Sequence, residues 1–346
     1  MSDKNQRYDV VVIGGGAAGL SGALALSRAR RSVLVIDGGK PRNAPASHAH
    51  NYLGREGVPP LELLAIGRAE AAGYGAEIVQ GDVVSAEKVS DGFRVVQEDG
   101  TTVHARRLLV TTGIVDELPA VEGLAERWGS EVLHCPYCHG WEVRDRPIGI
   151  LALSPMAVHQ ALLWRQWSDD VVLFRHNQPD FSDEEYEQLA ARGIGVVDGE
   201  VAALKVAEDR VAGVRLAGGT VIPREALVVQ PRFTARSAVL ESLGLVPTEM
   251  AMGDQVIGTY IAADPAGATE VPGVWVAGNV ANLMEQVVGA AAAGLKAASM
   301  INMDLVTDDT RRAVGARRAP FSAEAERQVT ERVLGDRRHG LQETSR

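Results

Sequence analysis

Residues 8–19 read Tyr-Asp-Val-Val-Val-Ile-Gly-Gly-Gly-Ala-Ala-Gly, and residues 32–37 read Ser-Val-Leu-Val-Ile-Asp. An apolar, β-branched run that stops at glycines is the pattern of a strand buried on both faces of a parallel sheet. The Ala/Leu-rich stretch 20–29 predicts a helix, and 32–36 predicts a second strand ending at Asp37. The order is strand, G-x-G-x-x-G, helix, strand, acid. In that pattern Gly14 makes the tight turn, Gly16 lets a pyrophosphate approach, and Gly19 lets helix and strand pack closely. Ala17 and Ala18, in the turn, are candidate cofactor contacts, and the N-terminal N–H groups of the following helix would hold the phosphates. Asp37 would bond a ribose hydroxyl. The fold class expected is α/β, with a doubly wound, three-layer Rossmann-like domain at this end of the chain.

The next segment is rich in Gly, Pro, Asn and His, and is either a lining of the cofactor or a plain connection. Gly38, Arg42, Asn43 and Asn51 are its candidate contacts; His48 and His50 have no assigned role. A helix is expected at 60–72 and strands at 76–79, 83–88, 93–97 and 103–110, with Val83 opening the second of these. The last runs into Thr111-Thr112-Gly113, where the N–H groups of Thr112 and Gly113 are placed to meet the cofactor. Residues 274–280 predict a further strand ending at the polar turn of Gly278 and Asn279. Gln286 and Val287 open a helix expected to reach about residue 300.

A second strand–helix–strand pattern spans 147–174, but its turn reads Ala152-Leu153-Ser154-Pro155-Met156-Ala157. There is no G-x-G, and side chains stand where a pyrophosphate needs space. After the second strand come Arg175, His176 and Asn177, without a basic cluster for a 2′-phosphate. The unit is expected to be kept while its phosphate cradle is lost, which argues against NADPH.

The chain holds only two cysteines, in His134-Cys135-Pro136-Tyr137-Cys138-His139-Gly140-Trp141-Glu142. Two thiols at that spacing at the start of a helical turn can close and open a disulfide, and a helix N-terminus and adjacent histidine both favour thiolate. Cys-x-x-Cys-His also spells a haem attachment site, two cysteines and two histidines a zinc site, and a buried inert pair is the bland alternative. No secretory signal favours haem, and four-way ligation from one hexapeptide is sterically awkward. A redox dithiol is the leading reading, with Cys135, Cys138 and, as proton carriers, His139 first and His134 second.

At 346 residues, two domains are the default. A net charge of −10 argues against nucleic acid as a partner. The N-terminus lacks an apolar core segment and no stretch reaches a membrane span, so a cytoplasmic protein is expected. Residues 311–346 carry nine Arg, four Glu and one Asp, net +4, against −14 for the rest. Ser322 is placed to cap a helix to about Leu334 with Val329 and Val333 on one face.

The glycine turn, the Thr-Thr-Gly turn, the Cys-Pro-Tyr-Cys-His-Gly-Trp-Glu segment and the Ala-Gly-Asn turn with Gln286 resemble the low-molecular-weight thioredoxin reductase family over roughly residues 7–303. Within it the cysteine segment is most similar to the disulfide-forming dithiol oxidases of the gliotoxin, holomycin and romidepsin type. The resemblance implies a homodimer with two dinucleotide-binding-type domains. FAD would occupy residues 1–117 and 245–310, residues 118–244 would carry the cysteines, and 311–346 would form a tail. Electrons would pass from a small-molecule dithiol through Cys135 and Cys138 to FAD and then to O2. The competing expectations are an NADPH-dependent reductase, a ferredoxin-linked reductase, and a redox sensor using the tail. Asn279 and His139 stand where the family's reductases carry acids.

Overall fold

A computed structural model describes residues 7–318 and 322–334. The first strand, Arg7–Ile13, lies between Val33–Asp37 and Thr102–Val110, parallel to both, with Glu77–Gln80 outermost beyond Val33–Asp37. A hairpin, Val83–Val89 and Gly92–Gln97, continues the sheet antiparallel. Val274–Val276, some 160 residues later, returns to pair parallel with Thr102–Val110. Val10, Val11, Val12, Leu108, Leu109 and Val110 are fully buried, as expected for strands covered on both faces.

The middle of the chain builds a second, all-parallel sheet in the order Gly195–Val197, Val171–Phe174, Ile148–Leu151, Ala226–Val228, Val132–Leu133. Its core is Ile148, Ile150, Trp164, Leu173 and Val228 with their neighbours. The cysteine segment begins directly after Val132–Leu133. It therefore sits at the carboxyl end of a parallel strand, where α/β sheets bind ligands. The chain leaves the first sheet through Ile114–Glu117 and comes back through Arg232–Ala235, and these two strands pair antiparallel.

Several expectations are corrected. The helix expected at 286–300 runs Val287–Arg318, because Ala, Leu, Met and Arg favour helix and no proline interrupts them. The presumed change of character at 311 is thus a change of charge within one helix. The strand beginning at Val274 ends at Val276, before the 3-10 turn Gly278–Val280, and the helix of the second unit, expected at about 156–167, runs Ala157–Trp164. The first helix starts at Ala17 rather than 20, since Gly16 ends the turn. Two small sheets were not foreseen: an antiparallel one of Val201–Ala207, Arg210–Leu216 and Val221–Ile222, and a mixed one in which the hairpin Thr248–Met252 and Gln255–Tyr260 joins the crossing strands, Gln255–Tyr260 pairing parallel with Arg232–Ala235. Ser322 does cap Ala323–Leu334, its hydroxyl accepting from the Ala325 N–H at 3.1 Å. The rest of the tail, 319–321 and 335–346, lies outside the described residues. Among the described residues no helix is long and apolar enough to cross a membrane.

Candidate active site

Glycine placement explains the first half of the site. Gly14 adopts φ +104°, in the region that favours glycine. A Cβ on Gly19 would stand 1.9 Å from the Gly14 carbonyl oxygen, so only glycine lets the helix pack on the turn. A Cβ on Gly16 would meet nothing within 4 Å. The space in front of Gly16 is open, and it is the space a pyrophosphate takes at a helix N-terminus. Asp37 Oδ1 accepts the Gly15 N–H at 3.1 Å, and Oδ2 the Arg68 guanidinium at 2.5 Å. A carboxylate has about four acceptor positions, so capacity remains for a ribose.

This turn opens on a cavity of about 1220 Å³ that also reaches the cysteines. Ordinary ligand pockets hold ~300–1,000 Å³, so there is room for a dinucleotide and a second molecule. Gly14, Gly16, Ala17, Ala18, Asp37, Gly38, Arg42, Asn43, Val83, Thr112 and Gly113 line it from the first half of the chain. Gly278, Asn279, Gln286 and Val287 line it from the last, and His134, Cys135, Cys138 and His139 from the middle. Two residues singled out in the sequence are outside the lining. Gly19 serves packing, and Asn51 instead donates its side-chain amide to the Tyr137 carbonyl at 2.7 Å.

Asn279 has a reason to be an amide. Its Nδ2 donates to the carbonyls of Asn282, Leu283 and Glu285 at 3.0–3.2 Å, shaping the loop before the long helix. A carboxylate cannot donate these bonds. Arg42 is committed to Asp116, which accepts from its Nε at 2.8 Å and from Nη2 at 2.6 Å. The same guanidinium lies 5.2 Å over the Phe233 ring, and that ring meets the His134 imidazole edge-on at 5.2 Å.

Cys135 and Cys138 form a disulfide with Cα atoms 5.3 Å apart. Cys135 is the N-cap of the one-turn helix Pro136–His139, and its carbonyl accepts from the Cys138 and His139 N–H groups. Among the described residues no group of three or more His, Cys, Asp or Glu could hold a metal. Burial, with Arg42 nearby, pushes the His134 imidazole down to about 4, and its Nδ1 is buried without a partner. Burial also lowers His139, while the Glu142 carboxylate pulls it back up and His50 pushes it down.

The middle sheet's own turn is closed. Ser154 is buried, and its hydroxyl accepts the Met156 N–H at 3.2 Å. Arg175 is held by Asp198 at 2.6 Å and Asp180 at 3.0 Å. Burial keeps the His176 imidazole low, and its Nδ1 accepts the Val201 N–H at 3.0 Å. Ser154, Met156, His159, Gln160 and Leu163 line the same cavity as the disulfide.

Sequence reasoning missed Arg68, Asp116, Phe233, Glu142 and Glu56. All are common residue types whose role comes only from a distant partner, so the linear pattern carried no signal for them.

Residues 8–294 match the model of the family described as "Pyridine nucleotide-disulphide oxidoreductase". The chain belongs to this family. It is a flavoprotein oxidoreductase with a redox-active disulfide and a thioredoxin reductase-like fold of two dinucleotide-binding domains. "Thioredoxin reductase sirT" of Leptosphaeria maculans is 31% identical over 87% of this chain and 95% of its own length. "Thioredoxin reductase tcpT" of Claviceps purpurea is 30% identical with the same coverages. Among solved structures, the crystal structure of HlmI is 45% identical with TM-score 0.84, covering 92% of this chain and 99% of that one. The oxidoreductase from Agrobacterium tumefaciens is 36% identical with TM-score 0.81, covering 87% and 99%.

Proposed function

We propose that the protein is an FAD-dependent dithiol oxidase that closes a disulfide in a small-molecule dithiol, with O2 as final acceptor. The observation that carries this reading is the contrast on the page: the glycine cradle and the disulfide open on one cavity, while the second cradle is closed and its only arginine is paired. Both observations weigh against NADPH as the electron source.

A substrate thiolate attacks Cys135, forming a mixed disulfide and releasing Cys138 as thiolate. The second substrate thiolate attacks the substrate sulfur of that bond, releasing Cys135 and a cyclic disulfide product. Two electrons now reside on the enzyme dithiol. FAD, when bound, supplies the two-electron acceptor for that dithiol and the means to reduce O2 to H2O2.

His139 is the better proton carrier for the substrate thiol. Efficient acid–base groups titrate near the working pH, and Glu142 offsets part of the burial that lowers His139. His134, down at about 4, stays neutral.

The relatives named as thioredoxin reductases favour one alternative, NADPH-driven reduction, and one experiment separates the two. Anaerobic titration of the yellow protein with dithiothreitol should bleach the flavin, NADPH should not, and air should restore the colour with about one equivalent of H2O2. Prompt bleaching by NADPH reverses the assignment. A cytoplasmic homodimer is proposed from the family resemblance, and light scattering on the purified protein checks the dimer.

A further inference from the structure

The wall that the middle sheet turns toward the disulfide has a chemistry of its own. Val228 pairs with Leu133 where Ala226–Val228 runs parallel to Val132–Leu133, and the Val229 N–H donates to the Leu133 carbonyl at 2.8 Å. Carried two residues further, that register sets Gln230 beside Cys135, and neighbouring strands lie ~4.8 Å apart. Both residues line the cavity. The helix Ala157–Trp164 and the residue before it supply more of this wall. Met156, Gln160, Leu163 and Trp164 fall at i, i+4, i+7 and i+8, one face of a helix, and all four line the cavity. Three are apolar and the fourth is an amide. Between residues 141 and 234, among the described residues, no Asp, Glu, Lys or Arg lines the cavity. An ionised group pressed against this wall would lose water and find no counter-charge, which is costly. The wall therefore suits an uncharged molecule.

Gln160 and Gln230 are bonded to each other in it. Gln160 Nε2 donates to Gln230 Oε1 at 2.7 Å, and Gln230 Nε2 donates to the Pro231 carbonyl at 3.4 Å, longer than an ordinary hydrogen bond. A side-chain amide offers two N–H groups and an oxygen with two lone pairs. The pair therefore leaves Gln160 Oε1 and the second Gln230 N–H without a partner among the described residues. Gln160 Oε1 is not closed off by packing. Two amides set in an apolar wall cost desolvation, and one bond between them offsets only part of it. A ligand that brings the missing acceptor and donor offsets the remainder.

We propose that Gln160 and Gln230 are specificity-determining residues: one accepts and the other donates a hydrogen bond to an amide group of an uncharged dithiol whose sulfur is presented to Cys135. An amide carries the matching N–H and C=O together, whereas a carboxylate only accepts and an ammonium only donates. This rests on the dithiol oxidase reading and adds to it which dithiols the site prefers.

The test measures anaerobic flavin bleaching, as rate per unit concentration of dithiol, with three probes: trans-bis(mercaptoacetamido)cyclohexane, which has two amides, dithiothreitol, which has none, and dimercaptosuccinate, which has two carboxylates. The flavin-loaded wild type is compared with Gln160→Met, Gln230→Met and Gln160→Lys. The readout is the ratio of rates between two probes in one enzyme, set against the same ratio in the wild type. Differences in thiol reactivity cancel, and so does a general loss of activity. Methionine keeps the length of glutamine and removes its hydrogen bonding. Each Met variant should lower the preference for the amide probe over dithiothreitol by about three- to tenfold, the effect of losing one hydrogen bond. Gln160→Lys should raise the preference for dimercaptosuccinate over dithiothreitol by about two- to fivefold, a gain that a damaged fold cannot produce. An unchanged amide preference in both Met variants, whatever their absolute rates or melting temperatures, means that the pair serves packing alone and overturns the proposal. A Gln160→Lys enzyme no better with dimercaptosuccinate overturns it equally. If none of the three probes bleaches the wild-type flavin, the dithiol oxidase reading itself fails and the proposal falls with it, a result distinct from the other two.

Discussion

Two strand–helix–strand units stand in one chain with opposite fates. Arg7–Ile13, the helix Ala17–Arg28 and Val33–Asp37 surround an open turn; Ile148–Leu151, Ala157–Trp164 and Val171–Phe174 surround a closed one. Their frameworks are equivalent. Both have strands paired in parallel and buried among Val, Ile and Leu. The hydrophobic core maintains the unit and is indifferent to what the turn does. Nucleotide binding depends on a handful of atoms: whether a Cβ fills the space in front of the helix, and whether cations after the second strand are free. The framework alone therefore does not decide what the turn binds, and in the middle unit residues of the turn and its helix form wall of the cavity that holds the disulfide.

The sharpest way to break the comparison is to close the open turn. Gly16→Val places a side chain in space that holds nothing within 4 Å, so the protein should fold yet bind flavin more weakly by on the order of 100-fold, about 2.8 kcal/mol at 1.4 kcal/mol per decade. Flavin retained through gel filtration, with apoprotein circular dichroism as control, measures it; full flavin content would show that the open space is not the cradle.

A smaller effect comes from the group between the two units. His134 is neutral when folded, held down at about 4 against 6.5 when unfolded. Between those values the unfolded chain binds more protons, so this contribution to stability is present above about pH 6.5 and is lost progressively as pH falls toward 4. From pH 7.5 to 5 the loss should be roughly 2 kcal/mol. Denaturant midpoints of the wild type and His134→Gln at the two pH values should show that the variant loses less on acidification.

Smaller again is a change in the middle unit's framework. Ser182 caps Asp183–Ala191 in a reciprocal capping box with Glu185. Ser182→Ala should cost about 1 kcal/mol, visible in amide hydrogen exchange of that helix, while flavin content stays unchanged. Asp198→Ala should do least. It releases one of two carboxylates on Arg175, and one guanidinium without a glycine turn should not create bleaching by NADPH. Rapid bleaching in that variant would mean that the second cradle is masked rather than lost.

The strands and helix of the open unit were legible apart from the start of the helix, because the glycine pattern, the flanking apolar runs and Asp37 are local and mutually consistent. The strands and helix of the middle unit were legible for the same reason. What stayed hidden was every feature made by remote pairing. Ile114–Glu117 and Arg232–Ala235 are four residues each and separated by over a hundred, too short for alternation to announce a strand. Asp116 and Phe233, which anchor Arg42, lie on these strands. His50 and Glu142 meet only because a loop from one unit reaches the turn of the other. Asn279 stands where the family's reductases carry an acid, and the backbone hydrogen bonds that call for an amide there could not be read from the sequence.

The return of Val274–Val276 to pair with Thr102–Val110 has a consequence for the order in which the protein is born. At about 5–20 residues per second, the ribosome delivers that last strand on the order of ten to thirty seconds after its neighbour. The middle unit, whose strands are contiguous by then, emerges in the interval. Asn279, Gln286 and Val287 follow the late strand. The residues proposed to line the flavin cradle from the last part of the chain are therefore delivered only after the whole cysteine-bearing segment has emerged.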